Sequence, residues 1–343
     1  VPDNRTELDS NEKIAALVTT AYPRYSVAYV SELLSDNVDY SPTYSTHSML
    51  QEDTYWWRDT GQSGNDSPTN IWENFYKAVA NANAALEAIE KRGNPKELDA
   101  ARGEALLCRA YAHFMLVNVF CHAYKPSQDT EENKANDVGD LGIPYITKPE
   151  TTVSPNYERK TVSWVYEQIN NDLEAGLPLI DDNHYKAPKF HFNSKAAYAF
   201  AAKFYLHYCK YEKSVEYANK VLGATPATIA KQLRDWKGLF SEDEIEVRGP
   251  LYVSSNVETN LLLLPVYSYA ASFWRYNHAY CRYSHTHLIA NMETFNSTGV
   301  WGSSNNLYLK SVSWSGNVVA LVQKQTTFRE IADPITGSYY THN

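Results

Sequence analysis

Residues 103–117 read GEALLCRAYAHFMLV, and this stretch decides the fold. Around it, from Leu98 to Val119, apolar residues recur at alternating steps of three and four, which is the spacing of one face of an α-helix. The opposite face is apolar too and includes Leu106, Phe114 and Val117. Because a helix that is apolar nearly all round must be covered on several sides, we predict that it lies inside a layer of helices.

Further helices are predicted on either side of this central one. Asp9 or Ser10 can cap a first helix, and Thr161 can cap another that ends near Gly176. The remaining runs cover residues 72–90, 196–208 and 212–222. In the last two, small and aromatic residues follow the spacing of a tetratricopeptide repeat, namely Ala202, Tyr205, Ser214 and Ala218.

The fold class predicted from these runs is mostly α, with residues 1–223 as a helical region and 224–343 as an irregular, aromatic-rich region. Residues 40–70 and 125–161 read as loops, because both are polar and without regular pattern. Helical periodicity fades from Glu242 onward. Short strands or extended segments are expected at 252–253, 261–269 and 307–309.

Composition excludes several classes of function. The net charge of −9 argues against a nucleic-acid partner. Apolar runs such as Leu261–Leu264 are too short to cross a bilayer. Four cysteines form no C-x-x-C pair, and His278, His285 and His287 lack a helical partner for a metal site, so we predict no metal and no cofactor. Glu104 and Arg109 are expected to pair with neighbouring helices rather than to catalyse a reaction.

The aromatic composition favours a binding surface. The chain has 27 Tyr and 8 Trp against 11 Phe. Tyr and Trp combine a flat apolar face with a polar tip, which suits ligands such as sugars.

Four blocks of sequence, spread over roughly residues 10–223, resemble the SusD/RagB family of outer-membrane nutrient-binding lipoproteins of Bacteroidetes. No single block is specific, but their order and spacing fit the family. The blocks are 17–23, ending in Ala-Tyr-Pro; 71–83 with 103–111; 159–173, opening on Arg-Lys-Thr-Val; and 192–206, opening on Phe-Asn-Ser-Lys.

This resemblance implies a SusD-like fold with tetratricopeptide-like helix pairs and a loop-rich ligand-facing region. It implies an extracellular position on the outer membrane, held only by a lipid on a cysteine upstream of Val1. It also implies a SusC-type TonB-dependent transporter as partner. The family continues with a helix that packs on the repeat pairs, and we expect this sequence, ending at Asn343, to lack that part.

Candidate ligand-binding residues are Trp56, Trp57 and Arg58, which we place on a loop with Tyr55 and Asp59. Neighbours on an extended segment point to opposite sides, so one of the two tryptophans should be packed and the other free. A second candidate group holds Trp274 and Tyr276, followed by Tyr280 and Tyr283, and a third holds Trp301 and Trp314. By contrast, Trp72 and Trp164 are assigned to the core because they lie on helices.

The function predicted is non-catalytic capture of an oligo- or polysaccharide for import through the transporter. Two alternatives stay open. The chain could bind peptides or another nutrient, as some members of the family do. It could also be a helical glycoside hydrolase, which would need two carboxylates about 5–10 Å apart beside an aromatic cleft. No motif in the sequence selects such a pair.

Overall fold

The computed structural model describes residues 8–42, 47–152, 155–236, 245–268 and 282–284, and strand segments at 307–310, 321–324, 331–332 and 339–340. Over these residues the fold is mostly helical, which confirms the predicted mostly α class. The helices in chain order are α1 (Asn11–Val18), α2 (Ala28–Leu33), α3 (Met49–Tyr55), α4 (Pro68–Lys91), α5 (Asp99–Phe120), α6 (Glu131–Asn136), α7 (Val162–Gly176), α8 (Ser194–His207), α9 (Tyr211–Leu222), α10 (Pro226–Ala230) and α11 (Ile245–Tyr252).

The described strands are short and pair in antiparallel twos. Strand β1 (Asp39–Tyr40) pairs with β2 (Tyr283–Ser284). Strand β3 (Leu307–Lys310) pairs with β4 (Leu321–Lys324), and β5 (Ile331–Ala332) pairs with β6 (Tyr339–Tyr340). The strand expected near residue 307 is therefore confirmed.

Contacts divide the chain into two compact units, each assembled from separate stretches of sequence. The first unit comprises Val1–Tyr25, Trp72–Leu233 and Ser255–Val266. The second comprises Ser26–Ile71, Arg234–Ser254 and Tyr267–Asn343. The boundary expected at residue 223 stays a prediction.

Local signals fix the helix ends of the first unit. The side chains of Ser10, Thr161 and Asn193 accept hydrogen bonds from backbone N–H groups at the starts of α1, α7 and α8. Between α4 and α5 the chain reverses through Gly93 and Asn94, whose φ values are 79° and 53°. Both conformations are left-handed, which explains the residue types at this predicted turn.

The central helix α5 is buried on several sides, as predicted. It packs against α7 so closely that a Cβ added at Gly103 would lie 2.8 Å from the carbonyl oxygen of Gly176. Alanines and aliphatic residues fill the contact of α5 with α1 and α4. The cluster contains Ile14, Val18, Ala85, Ala88, Ile89, Leu98, Ala101 and Ala105.

A buried ion pair joins α5 to α7. Arg109 donates from Nε and Nη2 to the two oxygens of Asp172, over 2.7 and 2.5 Å, and from Nη1 to Oδ1 of Asn83 over 2.9 Å. The Tyr145 hydroxyl donates to Asp172 over 2.6 Å. The predicted pairing of Arg109 with a neighbouring helix is confirmed.

Glu104 pairs with residues beside the helices rather than on them. Its Oε1 accepts from the Tyr22 hydroxyl over 2.6 Å and lies 2.7 Å from Nδ1 of His191. Tyr22 belongs to the Ala-Tyr-Pro block, so the structure gives that block a role in the core.

The helices α8 and α9 form the predicted hairpin. The Ser214 hydroxyl donates to the carbonyl oxygen of Ala202 over 2.8 Å. The rings of Tyr205 and Tyr217 stack with centroids 5.5 Å apart. Small residues at the crossing and stacked rings beside it are what the repeat spacing predicts.

The structure corrects several expectations. Residues 49–55 and 131–136 form the helices α3 and α6 where loops are predicted, and residues 245–252 form α11 where periodicity fades. Tyr252 ends that helix and lies in no strand, whereas residues 261–266 are irregular, which is compatible with the extended segment expected there. Trp72 and Trp164 are half-buried rather than core residues, because each sits at the edge of a ring cluster, with Phe120 and Tyr145 respectively.

Two further observations concern only the described residues. Cys108 is buried as a free thiol, and Cys121 and Cys209 are half-buried free thiols. No described helix combines the length and the apolar character that crossing a membrane requires.

Candidate functional site

The candidate site lies in the second unit, at the end of α3. This helix begins with a capping box, in which Ser48 and Gln51 exchange side-chain and backbone hydrogen bonds of 3.2 and 2.7 Å. Gln51 is fully buried. The start of the short helix is therefore fixed, and its far end carries the candidate tryptophans.

The end of α3 is a Schellman motif with a tryptophan where glycine is preferred. The Trp57 N–H donates to the Thr54 carbonyl over 3.1 Å, and the Arg58 N–H donates to the Asp53 carbonyl over 2.8 Å. Trp57 has φ 55°, the left-handed conformation that this motif requires. Outside glycine this conformation costs about 1–2 kcal/mol. The indole is nevertheless 78% exposed, so little burial offsets that cost.

Trp56 is held by the rings around it. Its Nε1–H donates to the Tyr283 hydroxyl over 3.2 Å. The Tyr55 ring meets it edge-on at 5.1 Å, and the Tyr40 ring does so at 5.6 Å. Trp56 remains 47% exposed despite these contacts. We call Tyr40, Tyr55, Trp56 and Trp57 the aromatic platform.

Tyr283 is the buried support of the platform. Its strand pairs Tyr283 with Tyr40, and the Ser41 N–H extends the pairing by donating to the Arg282 carbonyl over 2.7 Å. The Tyr283 ring is fully buried and lies 4.9 Å from that of Tyr55. A small core surrounds it, made of Tyr29, Leu33 and Val38 with Leu50 and Tyr55 against it.

Polar groups border the platform. Glu52 lies 2.8 Å from Nε2 of His47 and 3.5 Å from Nη1 of Arg58. Burial and the Asp39 carboxylate raise the pKa of Tyr55, and burial also raises the pKa of Tyr283. Both phenols therefore stay neutral at physiological pH, and they can donate as well as accept hydrogen bonds.

This arrangement is suited to binding a ligand. Indole and phenol faces can cover the apolar face of a sugar ring, and the bordering carboxylate, guanidinium and hydroxyl groups can meet its hydroxyls. In the part of the chain that the structure describes, no three His, Cys, Asp or Glu side chains come together as a possible metal site.

The structure brings together Trp56, Trp57 and Arg58, the first group of predicted site residues, on one helix end. The segment is not extended, so the reason given for separating the two indoles is wrong. They differ nonetheless, because Trp56 caps the helix against other rings while Trp57 projects from the turn. Whether they contact ligand stays a prediction.

Other sequence predictions fall outside the described residues. These are Trp274, Tyr276, Tyr280, Trp301 and Trp314, together with His278, His285 and His287.

Sequence reasoning missed Tyr40 and the supporting role of Tyr283. Tyr40 and Tyr283 are far apart in the chain, and no local sequence pattern predicts that they pair. The capping box at Ser48 and Gln51 could have been found, since Ser-x-x-Gln before a helix is a readable signal.

The described residues thus form a scaffold of packed helices, and a group of rings is exposed at the end of α3. Residues 1–206 match the sequence model of the SusD-like family, described as starch-binding and associating with the outer membrane. The chain belongs to the SusD-like family.

Two solved structures share the fold, and a third matches less well. A SusD-like carbohydrate-binding protein from Bacteroides vulgatus is 16% identical with a TM-score of 0.52, and the match covers 93% of this chain and 64% of that one. A SusD superfamily protein from Bacteroides fragilis is 19% identical with a TM-score of 0.52, covering 70% and 53%. One from Bacteroides thetaiotaomicron is 21% identical with a TM-score of 0.47, covering 61% and 44%.

At these identities the likeness concerns the fold alone. The match spans between 44% and 64% of the length of these three proteins. No curated protein is detectably similar in sequence to this chain.

Proposed function

We propose that this chain captures an oligo- or polysaccharide at the aromatic platform and releases it unaltered, for import through a SusC-type TonB-dependent transporter. The observation that carries the proposal is the position of Trp57, whose indole is 78% exposed on left-handed backbone. Glycine would serve the helix end better, so the indole costs stability without contributing burial. Strain kept at an exposed ring is typical of a functional site.

The neighbouring ring supports the same conclusion. Trp56 presents almost half of its surface while its N–H is bonded to Tyr283. A ring that is already fixed loses little conformational entropy when a ligand stacks on it. Trp56 would therefore act as the rigid face of the platform and Trp57 as its projecting face.

Binding at such a site should be weak. Sugar hydroxyls exchange hydrogen bonds with water for similar bonds with protein, so each contributes little net free energy. Discrimination then comes from how well the apolar faces of the sugar rings cover the indole and phenol faces.

The test is affinity electrophoresis through gels containing plant, host or microbial polysaccharides. We expect the wild type to be retarded on at least one gel, and Trp56→Ala and Trp57→Ala to migrate faster there. The matched control is Trp236→Ala, because Trp236 is 49% exposed in the same unit and contacts Tyr252 rather than the platform. Equal mobility of all four proteins on every gel would contradict the proposal.

The same polysaccharides test whether the ligand leaves unaltered. We expect no new reducing ends after incubation with the protein, and their release would favour the hydrolase. Retardation on no gel, together with saturable binding of peptides, would favour a peptide-binding role.

The transporter and the outer-membrane position are proposed from the family match, whose description names association with the outer membrane. A lipidated form should co-purify with a SusC-type barrel from outer membranes. Trp57→Ala should leave that association intact, because the platform is proposed to contact glycan. Loss of the association in this variant would contradict that division of roles.

A further inference from the structure

The first unit contains a small cavity of about 190 Å³ that the aromatic platform does not involve. Pockets for drug-sized ligands measure about 300–1,000 Å³, so this one has room for a single ring or a short acid. Three chain segments form it, namely the end of α1 with the following turn, the residues before α8, and an irregular stretch near residue 264. Its lining residues are Thr19, Tyr22, Pro23, Arg24, Phe190, His191, Leu263, Leu264 and Pro265.

Hydrogen bonds hold the walls of the cavity together. The Leu263 N–H donates to the Lys189 carbonyl over 2.7 Å, and Lys189 Nζ donates to the Val257 carbonyl over 2.6 Å. Asn193 Nδ2 donates to the Leu261 carbonyl over 2.8 Å. The irregular stretch is thereby fastened to the segment before α8, and the cavity is formed before any ligand arrives.

A buried carboxylate fixes the histidine of the cavity. Nδ1 of His191 lies 2.7 Å from Oε1 of Glu104, which is only 3% exposed. The imidazole also stacks on Tyr185, with centroids 4.5 Å apart and planes 16° apart. With Nδ1 engaged by Glu104, Nε2 is the nitrogen left for the cavity, and no described residue bonds to it. A carboxylate behind an imidazole is the arrangement that orients histidines for recognition of a ligand.

Arg24 supplies a cation to the same cavity. Its backbone N–H is held by Oδ1 of Asn74 over 2.6 Å, which fixes the base of the side chain. Among the described residues, none forms a hydrogen bond or an ion pair with the guanidinium. A planar guanidinium matches a carboxylate with two parallel hydrogen bonds.

The other walls are apolar. Phe190 is 49% exposed although it is a large apolar ring, and Pro23, Leu264 and Pro265 complete the lining. A ligand that fits must therefore combine an apolar face with one acidic group. A phosphate would leave these walls uncovered and would meet only one arginine.

We propose that this cavity binds a monocarboxylate sugar ring of the uronic-acid class, with the carboxylate on Arg24, a ring hydroxyl on Nε2 of His191 and the ring face on Phe190. This site shares no residue with the aromatic platform, for which an extended glycan is proposed above. The Arg24 guanidinium and the His191 imidazole would contact the acid, and the other walls of the cavity are apolar.

The test uses calorimetric titration of the full chain with sodium D-glucuronate, D-glucose and sodium acetate. D-glucuronate and D-glucose differ in the carboxylate, and acetate lacks the ring. We expect saturable binding of glucuronate and at least about tenfold weaker binding of the other two, because glucose lacks the charge-assisted hydrogen bonds to Arg24 and acetate lacks the ring that covers the apolar walls. Equal affinity for glucuronate and either of the others, or no saturable glucuronate binding, would overturn the proposal.

Variants locate the site. Arg24→Gln should weaken glucuronate binding about tenfold or more, and Thr19→Glu should do the same by placing a like charge in the cavity. Both residues are exposed, so the fold should tolerate these changes. The matched control is Lys203→Gln, which removes one exposed cation from α8, away from the cavity lining. Wild-type affinity in Arg24→Gln and in Thr19→Glu would overturn the assignment.

The result is separable from the platform. Trp57→Ala should lose polysaccharide binding and keep glucuronate binding, and Arg24→Gln should do the reverse. Loss of glucuronate binding in Trp57→Ala would place the acid at the platform and overturn the proposal.

Discussion

The first unit buries the paired charges of Arg109 and Asp172, whereas the second unit exposes the large rings of Trp56 and Trp57. Arg109 and Asp172 are only 8% and 7% exposed, and every oxygen of Asp172 accepts a hydrogen bond. Trp57 is 78% exposed on strained backbone. The first arrangement stabilises the fold, and the second costs stability.

The difference separates residues that hold the scaffold from those proposed to bind ligand. A buried charge must be paired, because removing its partner is costly. An exposed ring carries no such requirement and can vary with the ligand. Four changes can break or sharpen this comparison.

Asp172→Ala should give the largest effect. The Arg109 guanidinium would stay buried without its carboxylate, which costs about 3–5 kcal/mol. Denaturant unfolding measures the loss of free energy of unfolding. The control is Glu216→Ala, which breaks the exposed pair with Lys220 and should cost less than about 1 kcal/mol. Similar losses in the two variants would contradict the contrast between buried and exposed charges.

Acid should destabilise the first unit through His113. Its Nε2 accepts from the Ile146 N–H over 3.2 Å while Nδ1 lies 2.9 Å from the Arg109 carbonyl, so the ring is bonded in its neutral form. Burial lowers the pKa of His113 from 6.5 to about 3. The unfolded chain therefore binds this proton first as pH falls.

The contribution of His113 is complete above pH 6.5 and is lost as the pH falls toward 3. Between pH 6.5 and 4.5 we expect a loss of about 2–3 kcal/mol from this group. The measurement is the free energy of unfolding against pH for the wild type and His113→Gln. The variant should be less stable at neutral pH but should show a flatter profile. An equally steep profile would show that other groups cause the loss.

Gly103→Ala should destabilise the contact of α5 with α7. Alanine is the better helix former, by about 0.5–1 kcal/mol. Its Cβ would nevertheless lie 2.8 Å from the Gly176 carbonyl oxygen and 2.8 Å from Cβ of Leu179. The backbone at Gly176 cannot move aside easily. Overpacking should therefore cost about 1–3 kcal/mol, more than the gain in helix propensity.

The melting temperature measures this effect. Gly61→Ala is the control, because a Cβ there meets nothing within 4 Å. A rise in melting temperature for Gly103→Ala would mean that the two helices separate more readily than their packing indicates.

Trp57→Gly should give the smallest change in stability, and in the opposite direction. Glycine relieves the left-handed strain, so we expect a gain of about 1 kcal/mol together with loss of polysaccharide retardation. Trp57→Ala should lose binding equally and gain less, because alanine keeps the strain. A destabilised Trp57→Gly would show that the indole holds the second unit together.

Most of the first unit could be predicted from the sequence because its determinants are local. Apolar periodicity reveals α5, and side-chain caps at Ser10, Thr161 and Asn193 mark helix starts. The pairing of Arg109 could be anticipated because a charge on an apolar helix needs a partner. Its particular partner, Asp172, could not be, since nothing local ties the two.

The second unit could be predicted only in part. The tryptophans of the platform are visible in the sequence, but the helix beneath them has seven residues and mixed polarity, so periodicity misses it. The left-handed turn at Trp57 could not be predicted from the sequence, because glycine is the residue that usually marks such a turn. Tyr40 enters the platform through a strand of two residues, which is too short to leave a pattern.

Trp56 and its hydrogen-bond partner Tyr283 lie 227 positions apart, so the two parts of the aromatic platform are synthesised at different times. During synthesis the ribosome delivers α3 early, and both of its ends are tied by neighbours in the chain. The Tyr283 hydroxyl, which accepts the hydrogen bond of the Trp56 indole, emerges from the ribosome much later. The aromatic platform is thus completed only when β2 emerges, and a nascent chain can form its helical hairpins before that.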